Sequence, residues 1–209
     1  MAHPQTIGVV LAGGLATRMG GGDKSSIRIG GSTILERVIA CLAPQCSRLI
    51  VNANGEAAHF SATGLAVVAD SVPDRPGPLA GILAGLDWTA RHAPEIAWVV
   101  SAPSDCPFLP HDLVARLHHA RIEAGTPLAC ARSGGRRHPV VALWPVALRE
   151  DLRNALVSEG VHKVEQWSTP YGVAFAEWPD TPIDPFFNVN TPEEAAEAVR
   201  MAAPHPGEL

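Results

Sequence analysis

The sequence predicts an α/β fold, a single domain with a mainly parallel, mixed sheet covered by helices on both faces. Three observations carry this. Short apolar, β-branched runs alternate with amphipathic helical stretches from residue 6 to about 125, the pattern of right-handed βαβ units. Beyond residue 125 the alternation loosens, which brings an antiparallel strand or two into the sheet. The 209 residues contain no linker, repeat or low-complexity segment, and domains run to roughly 100–200 residues.

The elements follow in order. Residues 7–12 are apolar and β-branched, a buried strand. Residues 13–31 are too rich in glycine for regular structure. Residues 32–42 read as a helix whose capping region is Ser32 with Leu35 and Glu36, and whose Ile34, Leu35, Val38, Ile39 and Leu42 share one face. Pro44 stops it. Strands are predicted over 48–52 and 65–69, and a helix over 78–88 with proline in its first turn. A strand over 96–101 and an amphipathic helix over 110–123 come next. Then come strands over 127–131 and 138–144, a helix over 147–157, a strand over 171–176 and a capped helix over 191–201.

Composition narrows the function. Lys and Arg number 16 against 21 Asp and Glu, a net charge of −5, and nucleic-acid binders normally carry a basic surplus. No apolar run approaches the roughly 20 residues of a membrane span, and the polar start lacks the layout of a signal peptide. The four cysteines show no C-x-x-C pairing, as expected of a cytoplasmic protein with reduced thiols. No nucleic-acid or membrane partner is expected.

Open α/β sheets bind ligands beyond the carboxyl ends of their strands. Glycine, polar and charged residues gather at those places here, while the strands are apolar. The first such loop joins glycines to Arg18 and Lys24, which suits a polyphosphate: glycines let backbone N–H groups approach, and the cations supply charge. It is neither a G-x-x-x-x-G-K loop nor a G-x-G-x-x-G turn. A flexible loop with solvated cations is the alternative; its position after the first strand favours a site.

The segment Leu11-Ala12-Gly13-Gly14, followed by Arg18-Met19-Gly20 and Lys24, resembles the signature of the MobA-type nucleotidyltransferases. The likeness continues in order through Pro76 to Gly81, Pro103 to Pro107 around Asp105, His138-Pro139, and the stretch from Asn188 to Glu194. It spans nearly the whole chain. The resemblance implies a Rossmann-like nucleotidyltransferase domain, with a nucleotide-binding half over 1–125 and an acceptor half over 126–209. It implies transfer of GMP from GTP to molybdopterin, release of pyrophosphate, use of Mg²⁺, and transient contact with cofactor-biosynthesis or acceptor enzymes. Gly13 and the segment Leu79-Ala80-Gly81 resemble the guanylyl branch, since related cytidylyltransferases usually carry Leu-Ala-Ala-Gly at the first loop. Cytidylyl transfer to the same pterin, transfer to a sugar phosphate, and nucleotide binding without turnover are the alternatives.

By the same resemblance Lys24, Arg18 and Asp105 are catalytic. Lys24 lies against the α-phosphate, Arg18 holds the outer phosphates in its planar fork, and Asp105 ligates the metal. An N-cap for the helix near Pro110 is the bland role for Asp105. Leu11, Ala12, Gly13, Gly14, Lys24, Asn52, Asp70, Leu79, Ala80 and Gly81 contact the nucleotide, with Asp70 taking either guanine or ribose. Asn188 and Asn190, on one side of an extended segment, face the acceptor or metal; capping the last helix is the other role for Asn190. His138 fits a structural role equally well. Cys106 reads as packing, and His118-His119 as part of a surface helix.

Overall fold

The computed structural model describes residues 3–13, 27–55, 57–72 and 77–203. Strand β1 (Thr6–Leu11) is buried at all six positions. A strand covered on both faces has no polar side, which is why its sequence does not alternate. At Gly8 a Cβ would come within 2.2 Å of Leu49 Cδ2 and 2.9 Å of Cys46 Sγ, so glycine leaves the room that these side chains fill.

A small hairpin that the sequence reading did not foresee, β2 (Arg28–Ile29) and β3 (Ser32–Thr33), turns through Gly30 and Gly31 at φ +60° and +90°. It leads into α1 (Ile34–Leu42). Ser32 is taken up by β3, so the cap is Thr33: its hydroxyl accepts from Glu36 N at 3.1 Å, and Glu36 Oε2 accepts from Thr33 N at 2.7 Å. That reciprocal pair satisfies two amides that the first turn leaves open.

Strands β4 (Arg48–Asn52) and β5 (Ala66–Val68) precede α2 (Pro78–His92), which runs one turn beyond the predicted end. Next come β6 (Trp98–Pro103) and α3 (Leu113–Ala124), the helix stopped by Gly125 in the left-handed region. Strands β7 (Leu128–Ser133) and β8 (Arg136–Pro145) form a hairpin whose two-residue turn is Gly134-Gly135, φ +52° and +77°. Positive φ at both places matches strand twist and favours glycine. The chain ends through α4 (Arg149–Val157), the short α5 (Val164–Ser168), β9 (Val173–Trp178) and α6 (Pro192–Met201). Helix α5 is absent from the sequence expectation.

The main sheet has seven strands in the order β5-β4-β1-β6-β8-β7-β9. Every pairing is parallel except those of β8, which opposes both β6 and β7. The expected mixed sheet is therefore present, with one inserted antiparallel strand. Neighbouring residues of β1 feed opposite cores. Val10 packs with Val38, Leu42, Leu113 and Leu117 from α1 and α3, while Val9 and Leu11 pack with Ile82, Leu83 and Leu86 of α2. Helices cover both faces, as predicted. No helix among the described residues is long and apolar enough to cross a membrane.

From β1 the chain moves to β4 and β5 on one side, then returns through α2 to β6 on the other. The sheet order thus reverses beside β1, and a crevice opens beyond the paired ends Leu11 and Pro103.

Candidate active site

The backbone at this edge is tied together just past the strand ladders. Ala12 N donates to Asn52 O at 2.8 Å, Ser104 N to Leu11 O at 3.0 Å, and Ala53 N to Val68 O at 3.1 Å. Four strand ends are therefore tied to one another before any side chain is considered.

Asn52, at the end of β4, is buried, and its Nδ2 donates to Asp70 Oδ1 at 2.9 Å and Val68 O at 3.1 Å. Asn54 holds the other carboxylate oxygen at 2.6 Å and accepts from Asp70 N at 2.9 Å. Asp70 is thus clamped by two amides, and each of its oxygens keeps a lone pair for a ligand. Two adjacent acceptors match the ring N–H and amino group of a purine such as guanine, or a pair of ribose hydroxyls. Asn54 was not singled out in the sequence, although its type and position two residues after Asn52 carry the signal.

Helix α2 presses on this pair. A Cβ on Gly81 would meet Asn52 Oδ1 at 2.2 Å and Leu11 Cδ2 at 2.8 Å. Leu79, Ala80 and Gly81 are all buried in the first turn of α2, behind Gly77 at φ +138°, and no side chain caps that turn. The predicted nucleotide residues Leu11, Ala12, Asn52, Asp70 and Gly81 therefore converge, with Leu79 in the same apolar cluster as Leu11 and Ala80 buried in the same turn. Gly13 follows directly on Ala12. Gly14, Arg18 and Lys24 lie outside the described residues.

On the other side of β1, Asp105 follows β6 and is partly buried. Its carbonyl oxygen accepts from Val189 N at 2.9 Å, which fastens residues 188–190 beside it. Asp112, not Asp105, occupies the N-cap position of α3, so the capping role is excluded. Asn188 and Asn190 are exposed while Val189 is buried, the alternation an extended segment requires. The cap of α6 is Thr191, whose hydroxyl accepts from Glu194 N, while the backbone N–H groups of Asn190 and Thr191 both donate to Glu194. The Asn190 side chain is not the cap.

Asn188 and Asn190 line a cleft of about 440 Å³ with Pro103, Arg136, Arg137 and His138. The two arginines, unmarked in the sequence reading, reach this edge because the Gly134-Gly135 turn places the start of β8 beside it. His138 is half-buried against Phe186, ring centroids 4.6 Å apart. Its Nε2 lies 2.7 Å from Ser133 Oγ, and that hydroxyl donates to Asp184 Oδ1 at 2.8 Å. Burial lowers the His138 pKa from the usual imidazole value, Asp184 opposes that shift, and Arg136 adds to it. Structural and cleft-lining roles coexist at this residue.

Cys106 is fully buried, and burial, then the carboxylates of Asp105 and Asp184, push its thiol well above its ordinary pKa. It is no nucleophile, as expected, but it does more than pack. Its thiol donates to Asn188 Oδ1 at 2.9 Å. The four cysteines are all free thiols, as expected.

No group of three or more His, Cys, Asp or Glu that could hold a metal occurs among the described residues. A cation at Asp105 would have one hard carboxylate and would draw its remaining ligands from substrate oxygens and water. That donor set fits Mg²⁺, which keeps several waters and is commonly held by one or two carboxylates plus phosphates.

The MobA-like NTP transferase domain matches residues 8–176. The chain belongs to this family. Among its MobA-like relatives, a molybdenum cofactor guanylyltransferase of Nitrobacter hamburgensis is 60% identical over 200 residues, covering 96% of each chain. One of the same name from Rhodopseudomonas palustris is 58% identical over 200 residues, 96% of this chain and 95% of that one. Among solved structures, a molybdopterin-guanine dinucleotide biosynthesis protein A from Archaeoglobus fulgidus superposes with a TM-score of 0.71 at 21% identity, covering 94% of this chain and 98% of that one. The mixed sheet with its switch point beside β1 is thus the MobA-like fold.

Proposed function

We propose that this chain transfers the GMP unit of GTP to the terminal phosphate of molybdopterin and releases pyrophosphate. One observation carries the reading. The edge of a single sheet holds a clamped acceptor, Asp70 with Asn52 and Asn54, and a carboxylate, Asp105, whose own backbone anchors the wall of a second cleft. Two reactants can therefore meet across β1, with residues 1–125 serving the nucleotide and 126–209 mainly the acceptor. The names of relatives at 60% and 58% identity support GTP and the pterin as the pair.

In this reading Asp70 receives guanine or ribose, and the amides after β1 and in the first turn of α2 approach the phosphates. Lys24 stabilises charge that grows on the α-phosphate, and Arg18 holds the outer phosphates. Asp105 would hold Mg²⁺, which when bound screens the phosphate charge against an anionic nucleophile. An acceptor phosphate oxygen attacks the α-phosphorus in line, the bond to the β-bridging oxygen breaks, and pyrophosphate departs with the electron pair. Positioning and charge stabilisation are most of what such a transfer needs. The activity belongs in the cytoplasm, with transient contact to the enzymes that supply or take the cofactor.

Pyrophosphate release, measured with each of the four nucleotides with and without molybdopterin, tests the proposal. It should require GTP, the pterin and Mg²⁺ together. Equal turnover with CTP would overturn the guanylyl assignment. GTP binding without any pyrophosphate in the presence of molybdopterin would leave only a nucleotide-binding module.

A further inference from the structure

The 440 Å³ cleft has one side chain whose polarity is decided by a buried neighbour. The Asn188 carboxamide is exposed, and either of its ends could in principle face a ligand. Cys106 removes that freedom. Its thiol, 0% exposed, lies 2.9 Å from Asn188 Oδ1, whereas Asp105 Oδ1 and Phe186 O are both 3.9 Å away. A thiol has one hydrogen to donate, and the short contact takes it. With Oδ1 engaged, the amino group is the end of Asn188 left for the cleft. The backbone between them cannot drift, because Val189 N is bonded to the Asp105 carbonyl at 2.9 Å. Arg136 and Arg137 line the same cleft together with Glu194. The two guanidiniums are paired with Asp184 at 3.3 Å and Glu165 at 3.9 Å and add further hydrogen-bond donors to its walls.

We propose that Cys106 is a positioning residue that fixes the Asn188 amide with its NH₂ toward the cleft, so that Asn188 reads an anionic oxygen of the acceptor, the class to which a phosphate monoester belongs. The inference rests on the acceptor occupying this cleft. Cys106 touches neither substrate. It acts by holding one rotational state of a side chain that does, the preorganisation by which a supporting residue sharpens a site.

Steady-state kinetics with molybdopterin varied at saturating GTP test it. Cys106→Ala should raise the KM for molybdopterin by roughly three- to tenfold, the worth of one net hydrogen bond, with the KM for GTP unchanged and kcat little altered. Cys106→Ser keeps a donor and should recover most of the loss, which a packing role alone would not produce. In an Asn188→Ala background Cys106→Ala should add nothing, since coupled residues are non-additive. Asn188→Asp alters an exposed residue without disturbing the core. It should raise the molybdopterin KM more than Asn188→Ala, because it presents an anion where the wild type presents a donor. Unchanged molybdopterin KM in Asn188→Ala would remove the acceptor reading and the proposal with it. An effect in Asn188→Ala that Cys106→Ala lacks, full additivity of the two, or normal affinity in Asn188→Asp would overturn the proposal alone.

Discussion

At Asp105 the main chain and the side chain have separate tasks. The carbonyl oxygen fastens Val189, and the carboxylate is the proposed ion ligand. Asp105→Asn leaves the backbone bond and the size of the residue in place, and α3 has its own capping position at Asp112. The unfolding midpoint should therefore move little, while turnover falls by about 10²-fold or more, as when one transition-state electrostatic contact is lost. Turnover close to wild type would remove the ion role. The contrast between Asp105 and Cys106 shows what a sequence can tell at this scale. A carboxylate at a strand end between prolines announces itself. A thiol that bonds a partner 82 residues away does not, because nothing local distinguishes it from a packing cysteine.

Helix α2 shows how an element can be shaped for its neighbour at the expense of its own propensity. Alanine favours a helix interior over glycine by roughly 0.5–1 kcal/mol, so Gly81→Ala would look stabilising on the sequence alone. The clash at 2.2 Å with Asn52 Oδ1 reverses that sign, since Asn52 is buried and committed to Asp70 and Val68. We expect a net loss of about 1–3 kcal/mol from overpacking, together with weaker GTP binding as the Asn52–Asp70 pair is displaced. Denaturant unfolding and GTP titration check both parts, and a variant at least as stable as wild type would disprove the clash. The long, apolar elements were readable because burial on both faces leaves a continuous β-branched run. Helix α5, five residues without a side-chain cap, gives no comparable signal, and β2 with β3 lies within a glycine-rich stretch.

Across the whole molecule, the misreading of His118 leads to a measurable property. Its helix looked like a surface one, yet the imidazole is 1% exposed, bonded to Thr6 Oγ1 at 2.8 Å and to Arg121 Nε at 3.1 Å. The N-terminal segment and Trp98 cover a face that periodicity alone would leave in water. Burial first, then Arg121 and His3, pull its pKa from 6.5 down to about 3. Between those values the unfolded chain binds a proton that the folded chain refuses, so folding stability is complete above pH 6.5 and declines as pH falls toward 3. His138 shifts in the same direction. The unfolding midpoint should drop by several degrees from pH 7.5 to about 5, and less so in His118→Gln; identical profiles would show that His118 does not drive the loss.

The fold class, the mixed sheet and the convergence of Asn52, Asp70 and Gly81 were legible because they follow from strand ends and order. In the second cleft Asn188, Asn190 and His138 were marked in the sequence, whereas Arg136 and Arg137 were not. Arg136 and Arg137 arrive there only because one strand runs against its neighbours. That reversed strand also governs motion. The strand-borne residues on both sides of the site ride on one continuous hydrogen-bonded ladder from β5 to β9, whereas residues 187–190 lie outside every strand and are tied to it by the bond from Val189 N to the Asp105 carbonyl. Spreading the strands would mean breaking ladder bonds, which open slowly and at a free energy near that of global unfolding. Any change in the width of the second cleft would then come from the 187–190 segment and not from an opening stroke of the sheet.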